Sequence, residues 1–275
     1  MSANNQSVAI LGCGWFGLPL AESLLKQGFI VKGTKRSAAG VDMLRSKSIS
    51  AMGLDLDQPL SSQQRKALHA FLDVDYLVVN IPPNMRAGRL DYLERVNRLY
   101  QVITLHDFKK LIFISTTGVY DSKDAEFDET QASAHSERAR ILLDAEDLYL
   151  NKEETCVLRF AGLVGPKRHP GRFMAGKCDL SGGNCVVNLV HLEDCIGATH
   201  TVLQSKTTSP VYNLCSPHHP TRKDFYSQAA VDLQCTPPQF NAQHLPSKVI
   251  NGHKITEELG FQYRYSNLVD MLKQC

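Results

Sequence analysis

Six residues near the amino terminus, Gly12-Cys13-Gly14-Trp15-Phe16-Gly17, have the types and the spacing of a turn that holds a pyrophosphate. Gly12 permits the tight turn, Gly14 lets a phosphate approach the backbone, and Gly17 allows a helix to pack closely on a strand. Trp15 and Phe16 lie inside the same turn and count among its binding residues; the amides that open the following helix would face the phosphates. A second group, Gly33-Thr34-Lys35-Arg36-Ser37, follows about twenty residues later. An NAD-selective site usually offers the adenosine ribose a carboxylate at this point. No acid is present. Lys35 and Arg36 can instead pair with a 2′-phosphate, and Thr34 or Ser37 can offer hydroxyls, so the residue types favour NADP over NAD. Asp55, in Gly53-Leu54-Asp55-Leu56, is placed either to accept from an adenine amino group or to cap the next helix.

These residues need a scaffold, and the hydrophobic pattern supplies one. Apolar runs mark strands at residues 7–12, 29–33, 49–53, 74–80, 110–115 and 155–160, with helical spacing at 15–27, 38–46, 61–71, 88–106 and 133–150. Such alternation predicts an α/β, Rossmann-type doubly wound parallel sheet. After Phe160 the pattern changes to loops, short segments and prolines. The organisation expected is a dinucleotide-binding domain at 1–160 and a small substrate-binding lobe at 161–275, interleaved with the last strands and helices of the sheet.

Composition excludes several classes. The 275 residues are 43% hydrophobic and 21% charged, with a formal net charge of +2 and no long basic block, so nucleic acid is not an expected partner. No apolar run is long enough to span a bilayer, and Met1–Gln6 is polar, unlike a signal peptide, so a cytoplasmic protein is expected. Eight cysteines never form a C-x-x-C pair and read as free thiols. Cys178, Cys185, Cys195 and His191 match no common ligand spacing, so no metal is expected.

Four longer segments carry a resemblance. They are Leu111 to Tyr120 (LIFISTTGVY), Val157 to Pro166 (VLRFAGLVGP), Val187 to Asp194 (VNLVHLED) and Val211 to Leu214 (VYNL). With the glycine turn and Gly53-Leu54-Asp55, they resemble, in order and spacing, the extended and atypical short-chain dehydrogenase/reductases of the NAD(P)-dependent epimerase/dehydratase family. Within that family the chain is most similar to the YeeZ-like bacterial members. The resemblance covers nearly the whole chain and implies that the Thr116 hydroxyl bonds the reacting substrate oxygen, with Ser115 near the nicotinamide ribose. It implies that Asn80-Ile81-Pro82-Pro83 lines the cofactor, Ile81 and Pro82 in contact with it, and that Arg86 and Arg89 reach phosphates or an anionic substrate. It further implies a substrate pocket bordered by Arg168, His169, Arg172 and Asn188, with His191 as a catalytic candidate. Many relatives pair the helices at 88–106 and 133–150 across a homodimer, although Leu90, Leu93, Leu99, Ile103, Leu142 and Leu143 are explained equally by packing on the chain's own sheet.

One departure matters. Hydride-transferring members use a Tyr-x-x-x-Lys pair, in which the ammonium lowers the phenol's pKa. This chain has none. On the expected helix, alignment on Glu146 puts Arg138 and Leu142 in place of the pair; alignment on Arg140 puts Ser136 in place of the tyrosine. The expectation is therefore an NADP-dependent oxidoreductase or epimerase/dehydratase-like enzyme acting on a hydroxyl or carbonyl of a small polar substrate, with His169, His191 or Tyr120 as the acid. The alternative is a non-catalytic NAD(P)-binding redox or cofactor sensor. The small substrate follows from length: about one hundred residues make a smaller lobe than nucleotide-sugar epimerases usually carry.

Overall fold

The computed structural model describes residues 6–85 and 88–275. Its elements are β1 (Ser7–Leu11), α1 (Gly17–Lys26), β2 (Ile30–Lys35), α2 (Ala38–Ser46), β3 (Ser50–Gly53), α3 (Ser62–Phe71), β4 (Tyr76–Val79), α4 (Tyr92–Ile103), β5 (Lys110–Thr116), β6 (Ala125–Phe127), α5 (Glu137–Leu150), β7 (Thr155–Phe160), β8 (Gly162–Val164), α6 (Gly171–Met174), β9 (Leu189–His191), α7 (Leu192–Gln204), β10 (Val211–Leu214), α8 (Arg222–Asp232), β11 (Lys248–Ile250), α9 (Lys254–Leu259) and α10 (Leu268–Leu272). Seven strands form one sheet in the order β10-β7-β5-β4-β1-β2-β3, a Rossmann-like arrangement. β1 pairs in parallel with both β2 and β4, which explains why Val8, Ala9, Ile10 and Leu11 are all fully buried and read as a continuous apolar run.

The chain divides into two compact units, Met1–Ser115 with Ser136–Leu158 and Val202–Pro210, and Thr116–His135 with Arg159–Thr201 and Val211–Cys275. In the first, α1 buries Leu20, Ala21 and Leu24, while α4 buries Tyr92, Val96, Leu99, Val102 and Ile103 along one stripe. Leu99, Ile103 and Leu142 thus belong to the chain's own core, whereas Leu90 is exposed. The helix expected at 88–106 starts later, at Tyr92, and Gly88 at its expected start takes a positive φ of 76° that a helix cannot hold.

The second unit takes in residues 116–135, which the sequence pattern assigns to the first domain. Two features place them there. Tyr120 is bonded to Asn213 and Arg159, and β6 pairs with β11 in a two-stranded sheet of its own. Strands of three residues, such as β6, β8, β9 and β11, are too short for an alternating pattern to reveal. This unit also has its own core, in which Val164, Val187, Leu189, Phe225, Leu268, Met271 and Leu272 meet.

Asp194, in the first turn of α7, is 2% exposed and accepts hydrogen bonds from the amides of Arg264 (2.6 Å) and Tyr265 (3.3 Å). Burial pushes its carboxyl up to about 6. The folded chain therefore keeps a proton that the unfolded chain gives up near pH 4, and stability falls as pH rises from about 4 to about 6, by on the order of 2–3 kcal/mol. Urea midpoints measured across that window should fall with pH in the native protein and flatten in Asp194→Asn. Equal slopes in the two proteins would contradict this account.

Candidate functional site

The glycine turn is built by interlocking backbone. Gly12 has φ +103°, and its amide donates to Thr34 Oγ1 at 2.9 Å. The Cys13 amide bonds the Thr34 carbonyl at 3.0 Å, and the Asn80 side-chain amide donates to the Gly12 carbonyl at 2.8 Å. Each glycine has a different reason to be one. A Cβ at Gly12 would lie 2.2 Å from the Asn80 carbonyl oxygen, and one at Gly17 would lie 2.4 Å from the Gly12 oxygen. At Gly14 a Cβ would meet nothing within 4 Å. Gly14 is thus the position where packing inside the protein does not call for a glycine, so the residue leaves an open approach to the backbone. Phe16 occupies the N-cap of α1 and supplies no side-chain cap bond. An open backbone next to a helix start that no side chain caps fits a phosphate-bearing ligand.

Several residues of the turn and its surroundings serve the scaffold. Phe16 is 3% exposed, so its ring belongs to the core, while Trp15 is half-buried. Thr34 is 2% exposed and spends its hydroxyl oxygen on Gly12, and Ser37 caps α2 by accepting from the Gly40 amide. In both bonds the hydroxyl accepts: Thr34 is buried at the turn, which corrects its part of the expectation, whereas exposed Ser37 keeps a hydroxyl proton to donate. Asp55 accepts from the Asp57 amide at 3.0 Å, closing its own loop; it does not cap the next helix, whose N-cap is Ser61. Ile81 is half-buried and Pro82 exposed, in the loop that follows β4.

The basic end of β2 is richer than its sequence suggests. Arg36 contacts Asp57 at 3.5 Å; Arg89 grips Asp57 at 2.8 and 3.3 Å and Asp91 at 2.7 and 3.2 Å. Arg89 holds both carboxyls below the usual carboxylate range, chiefly through these hydrogen bonds. Arg86 lies outside the described residues. The sequence pattern misses Asn80 as the clamp of the turn and Asp57 as the partner of two arginines. An asparagine closing a strand is a readable signal, but the reach of Asp57 is set by loop geometry.

Among the residues expected to carry chemistry, most are committed elsewhere. Ser115 donates to Glu146 at 2.5 Å, both buried, which ties β5 to α5 and uses the hydroxyl assigned to the ribose. Arg140 pairs with Asp144 at 2.9 Å on the exposed side of α5, Ser136 caps that helix, and Leu142 is buried. No Tyr-Lys substitute emerges from either alignment. Tyr120 is 1% exposed; its hydroxyl donates to Asn213 Oδ1 (2.7 Å) and accepts from Arg159 (2.8 Å), and burial pushes it up to about 12.

The two histidines and Asn188 are likewise structural. His191 is fully buried against the Tyr265 ring at 4.2 Å, accepts the Glu193 amide on Nδ1 at 3.2 Å, and sets Nε2 3.4 Å from the Gln274 carbonyl. His169 is 7% exposed and accepts the Gly171 amide on Nδ1. Burial lowers the pKa of both rings, which disfavours the imidazolium a general acid needs. Asn188 bonds the Lys248 carbonyl at 2.9 Å and the Ile250 amide at 2.8 Å, so its amide anchors β11. Arg168 and Arg172 are exposed. Thr116 accepts the Gly118 amide at 3.2 Å and keeps a hydroxyl proton to donate. Among the described residues no group of three or more His, Cys, Asp or Glu side chains is arranged to hold a metal ion. Nor is any helix among them long and apolar enough to cross a membrane.

No family model matches the chain. Among curated proteins it is 41% identical over 267 residues to Protein YeeZ of Escherichia coli (strain K12), covering 94% of this chain and 96% of that one. Among solved structures it is similar to UDP-glucuronic acid 4-epimerase from Bacillus cereus, in complex with UDP-glucuronic acid and NAD, at TM-score 0.77 and 19% identity, covering 98% of this chain and 97% of that one. It is also similar to dTDP-glucose 4,6-dehydratase from Bacillus anthracis str. Ames, in complex with NAD, at TM-score 0.77 and 17% identity, covering 98% and 96%. A functionally unknown conserved protein from Silicibacter pomeroyi DSS gives TM-score 0.73 at 21% identity, covering 98% and 97%.

Proposed function

Because the chain belongs to the YeeZ family, we propose that it works as the extended short-chain dehydrogenase/reductases it resembles, binding a nicotinamide dinucleotide at the Gly12 to Gly17 turn and acting as an epimerase/dehydratase-like oxidoreductase. The observation that carries this reading is the contrast within the turn: Gly12 and Gly17 are required by protein packing, whereas Gly14 is open. When bound, the dinucleotide supplies a carbon that accepts or returns hydride. The chain's own part is to hold it. The space left open at Gly14 admits the phosphates to the start of α1, and Ile81 and Pro82 border the bound group. Lys35 and Arg36, with no acid beside them in β2, favour NADP, while the similar solved structures contain NAD. Thr116 donates its hydroxyl proton to a substrate hydroxyl or carbonyl oxygen, and exposed Arg168 and Arg172 favour a polar, anionic substrate.

A second reading is favoured by the commitment of Tyr120, His191 and His169 to structural bonds: binding without hydride transfer, as in a sensor of cofactor state. NADPH deuterated at the 4R position and, separately, at the 4S position separates the two, since hydride leaves from one face only. Incubated with keto and aldehyde acceptors and read by mass spectrometry, an oxidoreductase loses label, and Thr116→Val slows that loss by about a hundredfold. Full retention of label across the acceptors supports the sensor.

A further inference from the structure

The charged chain Arg36, Asp57, Arg89 and Asp91 lies in the first unit, at the ends of β2 and β3 and just before α4. Its contacts are unequal. Arg36 is 67% exposed in its side chain and touches Asp57 only once, at 3.5 Å. Arg89 is half as exposed, at 33%, and holds Asp57 through both carboxylate oxygens, Oδ1 at 2.8 Å and Oδ2 at 3.3 Å. The Arg36 contact is therefore easily exchanged, while the Arg89 contact is the firm one. Asp91, in turn, fixes Arg89 through two bonds and contacts Arg95, a buried side chain that also donates to the Pro83 carbonyl at 2.8 Å. Arg89 is thus anchored to α4 and the loop after β4, independently of Arg36.

This arrangement places a carboxylate beside the arginine suited to a phosphate monoester. An uncompensated Asp57 would repel such a group and would itself suit ribose hydroxyls, the preference of an NAD site. We propose that Arg89 is a positioning residue that sets cofactor preference: by neutralising Asp57 it leaves Arg36 able to exchange its carboxylate contact for the 2′-phosphate of NADP. The inference rests on the dinucleotide reading above. It goes beyond it in assigning the choice between NADP and NAD to a pair of residues outside β2.

The test is isothermal titration of the full chain with NADP and NAD separately, in native protein, Asp57→Asn, Arg89→Gln and the double variant. In Arg89→Gln the Kd for NADP should rise at least about tenfold, while that for NAD changes less than about threefold. Asp57→Asn should raise the preference for NADP over NAD by about threefold or more, and the double variant should show the preference of Asp57→Asn, not that of Arg89→Gln. A parallel weakening of both dinucleotides in Arg89→Gln would mean that Arg89 merely holds the loop, and would overturn the proposal. So would a preference lost in Arg89→Gln and not restored in the double variant, because Arg89 would then contact the phosphate itself. If Arg89→Gln fails to fold, an unchanged preference in Asp57→Asn is sufficient to reject the idea. Native protein that binds neither dinucleotide defeats the underlying reading instead, and native protein that prefers NAD defeats the NADP assignment.

Discussion

Gly12→Ala is expected to destabilise the protein by about 3–5 kcal/mol, more than any other single substitution in the turn. Two costs combine. The φ of +103° lies in a region that alanine enters only under strain, and the added Cβ would sit 2.2 Å from the Asn80 carbonyl oxygen. Asn80 cannot retreat cheaply. Its amide bonds the Leu11 carbonyl at 2.8 Å at the end of β4, and its side chain bonds the Gly12 carbonyl at 2.8 Å, so moving it breaks bonds on both sides of the clash. The same shift would disturb Thr34, which is buried and accepts the Gly12 amide. Chemical denaturation of Gly12→Ala against native protein measures the effect. A loss below about 1 kcal/mol would show that the turn relaxes freely and that its glycine is not held by Asn80.

The strands and helices of the first unit were legible because each buries a face that the sequence repeats. Val8 to Leu11 reads as a central strand since both faces of β1 are covered, and α4 reads as a helix because its apolar residues recur along one stripe. The glycine turn was legible for a related reason: its demands are local, with Gly12 and Gly17 pressed against neighbouring backbone. Side chains whose roles depend on distant partners were not. His191 looks like a catalytic histidine until Glu193 and Gln274 occupy its nitrogens, 2 and 83 positions away. Tyr120 looks like a spare acid until Asn213, 93 positions on, takes its proton. Asn188 presents the same problem, since its amide answers to β11, about sixty residues later. In each case the residue type announces polar chemistry, and the tertiary contact turns that chemistry to holding the second unit together.

The difference between Gly12 and Gly14 also supplies the most direct test of the central claim, that the turn binds a nicotinamide dinucleotide. A side chain at Gly14 meets no protein atom within 4 Å of its Cβ, so Gly14→Val should keep its melting temperature close to that of native protein. It should nevertheless lose the ligand, because the valine occupies the approach to the backbone. Thermal melting with NADPH, NADP, NADH and NAD is the measurement. At a ligand concentration one hundred times Kd the native protein should gain about 2.7 kcal/mol of stability, and Gly14→Val should gain none. Native protein that is not stabilised by any of the four, or a Gly14→Val variant that is stabilised as fully as native, would contradict the account.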